Sequence, residues 1–148
     1  MTADGLVRLT EDECWRFVEH RHLGRVGVIE FHRRPLVFPV NYVIHRRTVI
    51  FRTAPGTKLV AASLGAHAVV EVDEIDETFH SGTSVMVHGT LHEVTEPAER
   101  ERLRAVSVHP WAPGDRDHFV RLEPERVSGR RISPTVPGDG LGADAGWL

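Results

Sequence analysis

The chain carries a single cysteine, Cys14, among 148 residues. One thiol cannot close an internal disulfide, so nothing in the sequence calls for an oxidising compartment. No apolar run approaches the roughly 20 residues that span a bilayer. The start, Met1-Thr2-Ala3-Asp4-Gly5, lacks both the basic residues and the apolar stretch of a secretory signal. These absences make the cytoplasm the expected location. An excess of one charge is missing too: 18 Lys and Arg against 21 Asp and Glu leave a net charge of −3. That balance offers no general attraction to nucleic acid or anionic membranes. The pairs Arg33-Arg34, Arg46-Arg47 and Arg130-Arg131 fall at expected turns and strand ends, where solvated charge is ordinary. There is no G-x-x-x-x-G-K-[ST] loop and no G-x-S-x-G elbow. The histidines do not group for a metal: His20 and His22, two apart on a predicted helix, cannot share a face, and His88 and His92 on one strand stand about 13 Å apart. No metal site is expected, and Cys14 is expected to be a packed thiol.

What is present is ordinary for a folded domain: 41% hydrophobic and 26% charged residues. A single domain over residues 1–132 is expected, followed by a Pro- and Gly-rich tail over 133–148. Thr10 with Glu13 forms a capping-box pattern before an acidic first turn, predicting a helix with Cys14, Phe17, Val18 and Leu23 on one face and Gly24 as its stop. Strand patterns follow at Val26–Ile29, Leu36–Ile44 and Thr48–Thr53. A short helix over Lys58–Leu64 ends at Gly65. Further strands are expected at Ala68–Val72, at Ser84–His88 continuing past a bulge at Gly89 to Val94, and at His118–Leu122 and Arg126–Ile132. Asp73 to Glu77 reads as an acidic connection. Pro97 opens a helix running to about Ala105. The loop from Ser107 to Asp115, with Pro110, Trp111 and Pro113, has the composition of a binding or interface loop. Six or seven short strands with three short helices predict a mostly β domain, a small barrel with peripheral helices.

The stretch with chemical content is Pro39-Val40-Asn41-Tyr42, a turn, and then Phe51-Arg52-Thr53-Ala54-Pro55-Gly56-Thr57-Lys58. Antiparallel strands would bring Asn41 and Arg52 near one another. Gly56 at a helix start leaves backbone N–H groups free, with the Thr57 hydroxyl and the Lys58 cation beside them, which suits a phosphate. A solvated turn with capping residues accounts for the same pattern.

These segments, together with Leu23-Gly24-Arg25-Val26, Ser84-Val85-Met86-Val87-His88-Gly89 and Phe119-Val120-Arg121-Leu122-Glu123-Pro124, resemble the pyridoxamine 5′-phosphate oxidase-like family of FMN-binding split β-barrels. The resemblance runs from about Leu9 to Ile132. It implies a six- to seven-stranded split barrel and an FMN-dependent oxidoreductase acting on a small oxidised substrate. By the same resemblance, Arg52, Thr57 and Lys58 hold the flavin phosphate. Pro39, Val40, Asn41, Tyr42, Phe51 and Thr53 line the ribityl chain and ring edge, although simple core packing is the competing reading for Tyr42 and Phe51. Ser84 approaches the cofactor from the fifth strand. Trp111 and Arg116 come from the second subunit of a homodimer whose cofactor sites lie at the interface. Some members use F420, and the compact Ala54-Pro55-Gly56 loop, with no extra basic run for a long polyanionic tail, favours FMN. Two departures stand out: Thr83 replaces the tryptophan that many relatives carry before the serine, and Arg52 replaces the histidine of nitroimidazole-reductase types. A non-enzymatic flavin- or haem-binding protein, and a cofactor-free interaction module, are the alternatives. Because a flavin supplies its own redox chemistry, no general acid or base is expected.

Overall fold

Alternating apolar residues build a closed sheet. The structure, a computed structural model, describes residues 5–30, 33–106 and 117–134. Its elements in order are β1 (Leu6–Arg8), α1 (Glu11–Glu19), β2 (Leu23–Ile29), β3 (Pro35–His45), β4 (Thr48–Thr53), α2 (Thr57–Ser63), β5 (His67–Asp76), β6 (Ser81–Glu93), α3 (Pro97–Ala105) and β7 (His118–Ile132). The strands lie in the order β1-β7-β4-β3-β2-β5-β6, and β6 also pairs with β7. Six antiparallel strands therefore close a barrel, and β1 adds a seventh outside it. The expected split barrel with peripheral helices is the fold observed.

Along β2, β5 and β6 the inward residues alternate with outward polar or small ones. Val26 and Val28, Val70 and Val72, and Val85 and Val87 are buried, with Val40, Tyr42, Phe51 and Leu122 joining them in the barrel core. Two strands break this alternation. Val49, Ile50 and Phe51 are all buried, as are Phe119 and Val120. The cause is burial on both faces: Val49, Phe51 and Val120 face the barrel, while Ile50 and Phe119 pack with Leu103 of α3 and Val94 in a second cluster outside it.

Thr10 caps α1 as its sequence predicts. Its hydroxyl accepts from the Glu13 N–H at 3.2 Å, and the Glu13 carboxylate accepts from the Thr10 N–H at 3.1 Å. Cys14, Trp15 and Val18 bury one face of this helix against the barrel. Thr10→Ala is expected to cost about 1 kcal/mol of stability, read as a lower denaturant midpoint; an unchanged midpoint would show that packing alone holds the helix.

The predicted helix stop is corrected. The helix ends at Glu19, with His20 as its C-cap, and Leu23 and Gly24 belong to β2. Gly24 is needed for close approach, because a Cβ there would lie 2.8 Å from the Glu71 carbonyl and 3.0 Å from a Val72 methyl. The acidic stretch is corrected too: β5 runs on through Asp73 and Glu74 to Asp76, paired with β6. The two late strands are one, β7. Gly89 does mark a bulge, where the β6–β7 register shifts between His88 and Gly89. Trp111, Arg116 and most of the tail lie outside the described residues.

Candidate functional site

The site begins where one ladder stops. β3 pairs with β4 only from His45↔Thr48 to Tyr42↔Phe51, and its first half pairs with β2 instead, from Pro35↔Ile29 to Asn41↔Leu23. The strands β3 and β4 part company just beyond Tyr42 and Phe51. Asn41 and Arg52 are the next residues on the two diverging strands. Because side chains alternate along a strand, and Tyr42 and Phe51 point into the core, Asn41 and Arg52 share the outer face. Both are half-buried. The expected proximity of these two residues thus has a structural basis in the ladder end.

The residues around them divide by the face they occupy. Val40, Tyr42 and Phe51 are buried in the barrel core, so only their backbones border the outer surface. The Tyr42 hydroxyl donates to the Val18 carbonyl at 2.6 Å, tying β3 to α1, and burial pushes its pKa far above the ordinary phenol value. Pro39 is exposed. Thr53 is buried, and its hydroxyl donates to the Ala54 carbonyl at 3.1 Å. Thr57 is the exposed first residue of α2, and the Lys58 ammonium stands 5.1 Å from the centre of the Phe38 ring. Arg52 turns toward the α3 side, 5.1 Å from the Phe119 ring centre and 3.9 Å from an Asp117 carboxylate oxygen. The two cations expected to share a phosphate are therefore held by different neighbours.

Ser84 is further away. Its strand lies across the six-stranded barrel from that of Asn41, with β2 and β5 between β3 and β6 on one side and β4 and β7 on the other. Its hydroxyl donates to Glu71 at 3.3 Å. Glu71 and Asp73 project from the same face of β5, and Arg25 of β2 reaches both at 3.4 and 3.5 Å. Burial, reinforced by the Asp73 carboxylate, pushes the Glu71 pKa from 4.5 up to about 7, against the opposing pull of Ser84 and Arg25. The folded state thus binds a proton at Glu71 that the unfolded chain has already released between those two values. Stability is expected to be higher near pH 5 and to fall as pH rises through about 7. Urea melts across pH 5 to 8 check this, and Glu71→Gln should flatten the profile. A wild-type profile already flat in that window would contradict the assignment.

The sequence does not show this carboxylate pair, because Asp73 opens an acidic run that reads as a connection beyond the strand holding Glu71. A second group also went unread: Arg100 and Arg104 of α3, which meet Asp117 beside Arg52. Their spacing on a helix gives no hint of the β-strand residue they join.

A cavity of about 560 Å³ lies elsewhere, between α1 and the β5–β6 hairpin. Its cations are already engaged: Arg21 bonds Glu74, and Arg131 donates to the Thr83 hydroxyl at 3.4 Å. The ladder end carries polar and cationic side chains on the outer face, and its cations have neighbours of their own, Arg52 beside Asp117 and Lys58 over the Phe38 ring.

Comparison with known proteins matches a model of the pyridoxamine 5′-phosphate oxidase family over residues 10–131. The chain belongs to this family. The uncharacterized protein Rv0080 of Mycobacterium tuberculosis is 35% identical over 136 residues, covering 88% of each chain. A solved FAD-binding protein from Mycobacterium smegmatis is 32% identical with a TM-score of 0.70, over 85% of this chain and 98% of that one. A solved FAD-binding protein from Mesorhizobium loti is 25% identical with a TM-score of 0.73, over 86% and 99%. No helix among the described residues is long and apolar enough to cross a membrane.

Proposed function

We propose that this protein binds a flavin nucleotide at the end of the β3–β4 ladder and acts as a flavin-dependent oxidoreductase on a small oxidised substrate. The observation that carries the reading is the position of Asn41 and Arg52 at the point where β3 and β4 diverge, in a family member whose relatives include FAD-binding proteins. The donor set fits such a ligand. Arg52 and Lys58 supply cations and Thr57 a hydroxyl for phosphate, and the Asn41 amide can both donate and accept along a polar ring edge. Val40, Tyr42 and Phe51 contribute a rigid backbone rather than side chains, and Pro39 and Thr53 border the same strands. FMN is the smallest nucleotide with the required phosphate, and F420 offers the same ribityl phosphate.

When bound, the flavin supplies the hydride or electron transfer. The protein's own residues bind and orient it: Arg52, Thr57 and Lys58 fix the phosphate, and Asn41 sets the ring edge. A barrel of this size has little depth for a flavin ring, so a second copy completes the wall, with Trp111 and Arg116 from the partner. That arrangement makes the working unit a homodimer with two equivalent sites.

The test is mass spectrometry of the small molecule released on denaturing the purified protein, followed by melts with added FMN, FAD and F420. A flavin in the extract, or a rise in melting temperature with added flavin, is expected, since a ligand of the folded state stabilises it by mass action. Neither signal at ligand concentrations far above that of the protein would end the flavin reading. Sedimentation should give a dimer, and turnover of an acceptor after reduction separates an enzyme from a storage protein.

A further inference from the structure

No outward residue along the paired stretch of β2 and β5 is buried. Leu23, Arg25 and Ile29 are exposed, and Gly27, Val69, Glu71 and Asp73 are half-buried. This face divides along its length. Its apolar end holds Gly27 and Val69, which are paired in register. Ile29, 56% exposed, and Val37, 66% exposed, join them around a groove of about 370 Å³. Its charged end holds Arg25 in register with Glu71. A single Arg25 nitrogen, Nη1, serves both Glu71 and Asp73, at 3.4 and 3.5 Å, and the side chain stays largely exposed. A guanidinium has five N–H donors in a planar fork, so most of this fork is left for a further acceptor.

A two-fold axis laid along the β2–β5 seam, in the plane of contact, exchanges the two strands. Residues paired across the seam within one copy then face each other between copies. Gly27 meets the partner's Val69, so apolar surface lies on apolar surface. Arg25 meets the partner's Glu71, so each charge lies on its opposite. One rotation satisfies both halves of the face with no second surface, which is the condition for an isologous contact. Charge that complements itself in this way favours a second copy over an unrelated partner.

We propose that two copies of this chain join along the β2–β5 seam, each Arg25 pairing with the partner's Glu71 beside a shared apolar strip of Gly27, Ile29, Val37 and Val69. This pairing rests on the homodimer of the flavin reading and names its surface. It also gives Ser84 a place that one copy denies it. Pro39 is in register with Arg25, and Met86 with Glu71, so β3 of one copy lies across from β6 of the other. Convex barrels part on either side of the line where they touch, which leaves a cleft between those two strands. Asn41, two residues from Pro39, borders the cleft from one side, and the partner's Ser84, two residues from Met86, borders it from the other.

The experiment is sedimentation equilibrium of the full-length protein over a concentration series at pH 8, above the Glu71 pKa of about 7. The variants are Arg25→Glu and Glu71→Arg. The wild type is expected to be dimeric. Each variant alone sets like charges opposite one another at the seam, and its self-association should weaken at least about a hundredfold. An equimolar mixture of the two should return to within about tenfold of the wild type, because every pair across the seam is then oppositely charged. Both variants have lost the Arg25–Glu71 contact within the copy, so recovery in the mixture reports the contact between copies. Ile29→Ser covers the case in which a charge reversal disturbs the sheet. Its side chain is exposed in one copy, so the melting temperature should hold while dimerisation weakens at least about tenfold. Dimerisation unchanged in any of the three variants, or a mixture that stays monomeric, would overturn the seam and leave the flavin reading to its own extraction and melting tests. A wild type that is monomeric at every concentration would overturn the seam and the homodimer together.

Discussion

Replacing Gly89 by alanine is expected to destabilise the protein by about 3 kcal/mol or more, the upper end for overpacking a filled interior. A Cβ on Gly89 would sit 1.9 Å from the Glu123 carbonyl oxygen, 2.8 Å from its carbon and 3.1 Å from the Pro124 Cα. All three are backbone atoms of β7, which is held on one side by β6 and in its first half by β4 on the other. No rotamer change can relieve such a contact. The bulge between His88 and Gly89 lets β6 cross from one register to the next, and the crossing brings the two backbones together at the residue that has no side chain. Gly27→Ala is the comparison. There the nearest atom is a Val69 methyl at 3.1 Å, the end of a side chain that can shift, and a change within about 1 kcal/mol is expected. Equilibrium urea unfolding of both variants checks the contrast. Similar midpoints for the two would show that β7 yields at Glu123.

The same glycine illustrates what a sequence can say about this fold. Alternation along Leu36, Phe38, Val40, Tyr42 and Ile44 marks a half-buried strand because one face meets the core and the other does not. The capping box at Thr10 and Glu13 is local and needs no tertiary information. Gly89 was legible as a bulge because it interrupts an otherwise strand-like run. Gly24 misleads for the complementary reason. Glycine after a helical stretch suggests a stop, but its actual cause is the close passage of β5, set by residues far along the chain. Burial on both faces, as at Ile50 and Phe119, also needs the packing of α3 to be understood. Neighbouring positions divide in the same way. That Asn41 and Arg52 lie on adjoining strands is legible because a short turn joins β3 and β4. The Glu71–Asp73 pair and the Arg100–Arg104–Asp117 group depend on register between distant segments, and no local pattern announces them.

Lys58→Ala is expected to weaken FMN binding by roughly 1.5–3 kcal/mol, about 10- to 150-fold, the scale of a charge-assisted contact. Riboflavin, which lacks the phosphate, should bind the variant as it binds the wild type. The distinction isolates the phosphate from the ring, because both ligands present the same isoalloxazine to the barrel. Lys58 is suited to this role by position. It follows directly on the first residue of α2, and its stem brings the ammonium 5.1 Å from the Phe38 ring centre. An ammonium over a ring at a partly exposed site contributes only about 0.5–1 kcal/mol, so folding should survive its removal. Lys58→Arg keeps the charge and should retain most of the FMN affinity. Isothermal titration of the three proteins with both ligands provides the test. Equal losses for FMN and riboflavin would place Lys58 near the ring or in the packing of Phe38, and the phosphate would then have to rest on Arg52 and Thr57. A loss confined to FMN would fix the phosphate end of the ligand at α2 and direct the ring along β3 toward Asn41, with its edge facing the outer side of the barrel.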